Sequence, residues 1–224
     1  MTTPYMAFPA SDHLYQLTEG FITRMRDGAR QPEPVVLENI MTAFIGEALN
    51  AFFLKPAMLA GLGPTQKQLV RMATDTITGT LGLVIRRSAK KMDLSQNQRA
   101  AEYMDEIRLP ASDRSFWYVA FPLDEKVANR GQTLDQLIDD ESASTARAEM
   151  VSYLHDITDQ ALLWYFSKPL ELLDFGPILR KLAVLGKDTT RHASYGVINR
   201  VIPRLNNEQL LQSAIYYKSM QIYR

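Results

Sequence analysis

Residues 55–69 read KPAMLAGLGPTQKQL, and residues 168–182 read KPLELLDFGPILRKL. Both carry Lys-Pro, a leucine three residues after the proline, and a Gly-Pro pair at the same spacing. The offset is 168 − 55 = 113. It also lays Tyr5, Ala7, Phe8 and Pro9 on Tyr118, Ala120, Phe121 and Pro122, Asp75 on Asp188, and Tyr103 on Tyr216. With no gap, residues 1–111 and 114–224 agree at 22 positions, about a fifth of the alignment, where unrelated segments of average composition agree at roughly 6%. The sequence therefore reads as a tandem duplication, with one helical repeat over 1–111 and a second over 114–224. A match without gaps gives every loop the same length in both copies, so the expectation is one compact unit of two halves about a pseudo-two-fold axis, like a covalently joined homodimer.

Within each repeat the main signal is helical. Leu37, Ile40, Met41, Phe44, Ile45, Ala48, Leu49, Phe52 and Phe53 recur at the spacing of one helix face, and Met150, Tyr153, Leu154, Ile157, Ala161, Leu162, Tyr165 and Phe166 repeat it. Pro56 and Pro169 are expected to stop these helices, since proline lacks the backbone donor and clashes with the preceding turn. Asp75 and Asp188 precede further apolar patterns and read as N-caps, with Gly186 as a helix stop just upstream. A last helix is expected over about 95–109 and about 207–223, and a first one over about 11–27 and 124–140, the latter interrupted at Gly131. The fold class is thus all-α, with four to five helices per repeat. The β-prone segments 2–8 and 115–121 are expected to lie extended over the opposite half rather than pair, because a lone two-stranded ribbon is marginal in water.

Composition narrows function by exclusion. The chain has 25 Lys+Arg against 25 Asp+Glu, so it lacks the net positive charge of a protein that coats nucleic acid, and no nucleic-acid partner is expected. Absence of cysteine removes disulfides, thiolate metal sites and cysteine nucleophiles, and fits a reducing compartment. The most apolar stretch, 43–62, is broken by Glu47, Lys55 and Pro56, and the N-terminal residues lack a basic-then-apolar leader pattern. No membrane span is expected, and the localisation read from the sequence is cytoplasmic.

No phosphate-binding loop, His-Glu-x-x-His or Glu-x-x-His pair occurs, so no cofactor, no metal and no catalytic residue is assigned. The acidic triplet Asp139-Asp140-Glu141 reads as a solvated helix end. His13, His155 and His192 have Lys126, Thr42 and Gly79 as counterparts, so any histidine site is asymmetric; His155, Arg191 and His192 are its candidates. The basic run Arg86-Arg87-Ser88-Ala89-Lys90-Lys91 suits the end of a helix. Polar residues kept in both copies, Lys55 and Lys168, Arg87 and Arg200, Gln96 and Gln209, Tyr103 and Tyr216, are read as contacts between helices or, for the arginines, as the lining of a shared groove. Trp117, Trp164 and Tyr165 belong to aromatic runs that one helix face cannot bury whole. Together these point to a non-catalytic interaction module that docks a protein partner in an apolar and aromatic groove between the repeats. The alternatives are a small-ligand binder or enzyme with one pocket in the second repeat, and a structural subunit that self-assembles as a homo-oligomer.

Overall fold

A computed structural model describes residues 2–111, 116–138 and 143–224. The chain is mostly helical, about 76% in eight continuous helical runs, with a small four-stranded sheet. In chain order the elements are β1 (Pro4–Pro9), α1 (Asp12–Arg26), α2 (Pro34–Leu49), α3 (Lys55–Leu59), α4 (Pro64–Ala89), α5 (Leu94–Glu106), β2 (Arg108–Pro110), β3 (Trp117–Pro122), α6 (Glu125–Thr133), α7 (Ala143–Leu162), α8 (Lys168–Leu172), α9 (Pro177–Val201), α10 (Asn207–Ser219) and β4 (Gln221–Tyr223).

The sheet corrects the expectation that the two aromatic segments lie unpaired. Strand β1 pairs antiparallel with β3, Ala7 facing Ala120 and Tyr5 facing Pro122, and the order across the sheet is β2-β3-β1-β4. The flanking strands come from the last residues of the segments expected to be helix, which instead ends at Glu106 and Ser219. Four strands, with the side chains of the central β1 and β3 largely buried, overcome the instability of a two-stranded ribbon. Every pairing joins residues before 111 to residues after 116: β1 bonds to β3 and β4, and β3 bonds to β1 and β2.

Pro56 and Pro169 do not stop their helices. Residues 34–59 form one helical run through a π-helical turn at Asn50–Leu54, and residues 143–172 do the same through Leu163–Ser167. In the wide turn Lys55 N–H donates to Asn50 O, five residues back. Pro56, next in that register, has no N–H, so the Ala51 carbonyl loses its partner. The Tyr216 hydroxyl supplies one at 2.8 Å. In the second run Lys168 N–H donates to Leu163 O, Pro169 frees the Trp164 carbonyl, and the Tyr103 hydroxyl donates to it at 2.6 Å. Tyr217 also caps Phe52 O at 2.7 Å, and its counterpart Met104 has no hydroxyl to do so. The run 34–59 is long and apolar enough to cross a membrane by length and composition; in the fold its Leu37, Ile40, Leu49 and Ala51 are buried.

Asp75 and Asp188 lie inside α4 and α9, which run unbroken past them, so they cap nothing. The caps sit elsewhere: Asp93 and Asn206 open α5 and α10 in reciprocal boxes with Gln96 and Gln209. Each of these glutamines also reaches the opposite half, Gln96 Nε2 to Leu173 O at 2.7 Å and Gln209 Nε2 to Gly61 O at 3.3 Å. Gly186 is not a stop either; a Cβ there would stand 3.1 Å from Leu81 and Val84, so it permits close packing of α9 on α4. Helix α6 likewise continues through Gly131. At the centre Phe8, Phe44, Tyr165, Phe121 and Phe52 form a closed ring of aromatic contacts with centroids 4.9–6.5 Å apart, drawn from both halves.

Candidate functional site

Two apolar cavities flank that aromatic ring, one of about 150 Å3 and one of about 170 Å3. The first lies on α7, α9 and α10 and is closed by the π turn and α3 of the other half, with Leu154, Ile157, Ala161 and Leu62 in its wall. The second lies on α1, α2, α4 and α5 and is closed by α8 and the start of α9, with Met41, Ala100, Leu170 and Phe175 in its wall. Their walls correspond at the 113-residue offset: Met41 with Leu154, Phe44 with Ile157, Phe175 with Leu62. Phe44, Ile45, Leu81, Tyr165 and Phe166 line both, so the cavities share a wall at the centre.

The two differ in their polar atoms. Apart from Tyr165 in the shared wall, every hydroxyl lining the first has a partner: Thr158 donates to Leu154 O, Thr190 to Gly186 O, Ser194 to Thr190 O, Ser213 to Gln209 O and Tyr217 to Phe52 O, all at 2.7–2.9 Å. In the second, the Tyr103 hydroxyl is taken by Trp164 O, but Thr18 Oγ1, Ser88 Oγ, Trp117 Nε1 and the Tyr165 hydroxyl are buried with no partner among the described residues. Thr18, Ser88 and Trp117 are 2%, 6% and 6% exposed. Burial pushes the Tyr165 hydroxyl well above the ordinary phenol pKa, so it stays a neutral donor. Arg108 also lines this cavity; its guanidinium is held by Asp105 and Glu19, and desolvation lowers its pKa.

The remaining residues singled out in the sequence are dispersed. Trp117 and Tyr165 belong to the second cavity, whereas Trp164 lies under the Lys168 ammonium, 3.0 Å from its ring centroid. Lys55 stands 5.7 Å from the Tyr216 ring. The His155 ring stacks on Tyr195 at 3.8 Å, and Arg191 bonds Asp159 at 2.8 Å beside it. His192 faces away from that cluster, into a groove it lines with Leu69, Met72 and Arg200, its Nδ1 2.7 Å from Asp188 O. The expected trio of His155, Arg191 and His192 is therefore split between two surfaces. Arg87 does not line the groove that holds Arg200, so the two arginines do not share one. Arg86, from the basic run, pairs with Glu38 at 3.3 Å. The acidic triplet 139–141 lies outside the described residues.

Sequence reasoning missed Thr18 and Ser88. Their signal is positional: each interrupts an apolar stripe, Leu14-Thr18-Phe21 on α1 and Leu81-Val84-Ile85-Ser88 on α4. Compared with known proteins, the chain matches no family model, no curated protein and no solved structure.

Proposed function

We propose that the chain is a non-catalytic helical module, made by tandem duplication of one unit about a pseudo-two-fold axis, that takes up a small apolar molecule between its halves. The observation that carries this reading is the pair of cavities that draw on both halves, 17 of the 29 residues lining the first having their 113-residue counterparts in the wall of the second. The matching registers Ala7 with Ala120, Arg108 with Val119 and Gln221 with Met6 support the duplication. Apolar space of this size costs a fold about 4 kcal/mol of packing, and an apolar ligand that fills it returns that energy. Cavities of about 150 Å3 lined by aliphatic and aromatic side chains accept molecules the size of benzene.

The test is a thermal melt with ethylbenzene. A ligand at a hundred times its Kd adds about 2.7 kcal/mol, which raises the Tm of a chain this long by about 5–10 °C. Ala161→Leu and Ala100→Leu, one in each cavity wall, each reduce that shift. No shift at the solubility limit of ethylbenzene refutes the reading.

A second reading, docking of a protein partner, is favoured by Met72 and Leu185, 59% and 58% exposed on the groove between α4 and α9. A partner retained at fixed stoichiometry by the wild-type chain and lost with Met72→Glu and Leu185→Glu supports it; one indifferent to both substitutions does not.

A further inference from the structure

Four of the six buried side-chain polar atoms that lack a partner among the described residues belong to side chains lining the second cavity: Thr18 Oγ1, Ser88 Oγ, Trp117 Nε1 and the Tyr165 hydroxyl. Such atoms are rare because each carries the full cost of leaving water. Four residues from α1, α4, β3 and the second π turn, gathered at one cavity, call for a common explanation. The counterpart cavity gives the contrast. At the 113-residue offset Thr18 becomes Gly131, Ser88 becomes Val201, Trp117 becomes Pro4 and Tyr165 becomes Phe52. Where Thr18 has its side chain, Gly131 has none, and that space is filled by Tyr153 and Gln221, which bond each other at 3.0 Å. Outside the shared wall, where Tyr165 sits, one cavity has all its hydroxyls satisfied; the other carries three further unpaired polar groups, Thr18, Ser88 and Trp117.

We propose that the second cavity binds a neutral molecule of one or two rings that presents an oxygen acceptor, a ketone or similar carbonyl, to one or two donors of the set formed by the Thr18, Ser88 and Tyr165 hydroxyls and the Trp117 indole N–H. This rests on the small-ligand reading above and specifies its chemistry. The indole nitrogen only donates, and each hydroxyl has a proton to give, so the complementary group is an acceptor. A carboxylate is disfavoured, because the only cation lining the cavity among the described residues, Arg108, is already held by two carboxylates, Asp105 and Glu19. A cation finds no carboxylate among the described residues of the wall and would lose its hydration.

The experiment compares acetophenone with ethylbenzene, the same skeleton without the oxygen, and with benzoate, the anionic analogue. Trp164→Phe leaves Trp117 as the sole tryptophan, and since Trp117 lines only the second cavity, its fluorescence locates the probe. Acetophenone is expected to bind roughly tenfold tighter than ethylbenzene, as one added buried hydrogen bond requires, and benzoate weakest. The double variant Thr18→Val with Ser88→Ala, which keeps shape and removes two hydroxyls, is expected to bring that ratio toward one while ethylbenzene affinity holds. Equal wild-type affinities for acetophenone and ethylbenzene overturn the acceptor inference and leave the apolar cavity reading standing. So does a preference that survives the double variant, and benzoate binding as tightly as acetophenone overturns the choice of a neutral ligand. If no probe binds, both readings fall.

Discussion

Removing the Tyr103 hydroxyl by Tyr103→Phe leaves the Trp164 carbonyl with no donor, because Pro169 cannot provide the one its register calls for. A part-buried carbonyl deprived of its partner costs about 1.5 kcal/mol, or about 3–6 °C in Tm for a chain of this size. The mechanism is separable from ordinary loss of packing by a double-mutant cycle. Pro169→Ala restores an N–H at the position that addresses Trp164 O in the five-residue register of the turn, so the carbonyl no longer depends on Tyr103. Tyr103→Phe should then cost about 1 kcal/mol less in the Pro169→Ala background than in the wild type. The effect of proline on the unfolded chain is common to both arms and cancels. Urea unfolding followed by circular dichroism gives the four free energies, provided the slopes agree. Tyr216→Phe with Pro56→Ala repeats the cycle in the other half. If Tyr103→Phe costs the same with and without the proline, the hydroxyl is not replacing the missing backbone donor and the account of the π turns is wrong.

Gly131→Ala drives a methyl group against Gln221 Nε2 and to 2.7 Å from the Tyr153 hydroxyl, and is expected to cost about 1–3 kcal/mol by chemical denaturation; a neutral result would mean that contact is slack. Asp93→Ala removes a reciprocal cap and should cost about 1 kcal/mol, whereas Asp75→Ala, mid-helix and exposed, should stay within about 0.5 kcal/mol. The reverse order would restore Asp75 as a helix start. Tyr103, Tyr153, Tyr165, Tyr216 and Tyr217 all have pKa values raised by burial above the phenol value of 10.0. Their folded forms hold the proton more tightly than the unfolded chain does, so the stability they contribute is complete below pH 10 and is lost as pH rises beyond it. Tyrosinate absorbance of these residues should appear together with loss of helical ellipticity; full titration while the helices persist would contradict their burial.

The helical stripes were legible because they are local: Leu37 to Phe53 and Met150 to Phe166 declare a helix whatever surrounds them. The π turns were not, because what rescues Pro56 and Pro169 is a hydroxyl from 160 residues along the chain in one case and 66 before it in the other. Lys-Pro read locally says stop, and only the tertiary partner makes it say continue. Strands β2 and β4 are three residues each, too short for any alternation to register. Asp75 and Asp188 misled because an aspartate before an apolar pattern has the same appearance whether it caps a helix or rides on its exposed face. Of the candidate site residues, Trp117 and Tyr165 stood out as aromatics. Thr18 and Ser88 did not, since a hydroxyl on a helix usually bonds a carbonyl of the preceding turn, as Thr158 and Thr190 do.

No strand of the sheet pairs with a strand from its own half. During synthesis the first 111 residues therefore leave the ribosome with β1 and β2 lacking every neighbour they will eventually have. At about 5–20 residues per second, the remaining stretch takes on the order of ten seconds to emerge, and β1 gains its outer neighbour only when Gln221–Tyr223 is made. Strand β3 follows within about a dozen residues, so for that interval it is the outer edge of β1 that stays open to pairing with another chain. The sheet is therefore complete only once both ends of the chain have met, and slower synthesis of residues 123–223 is expected to lower the yield of native protein.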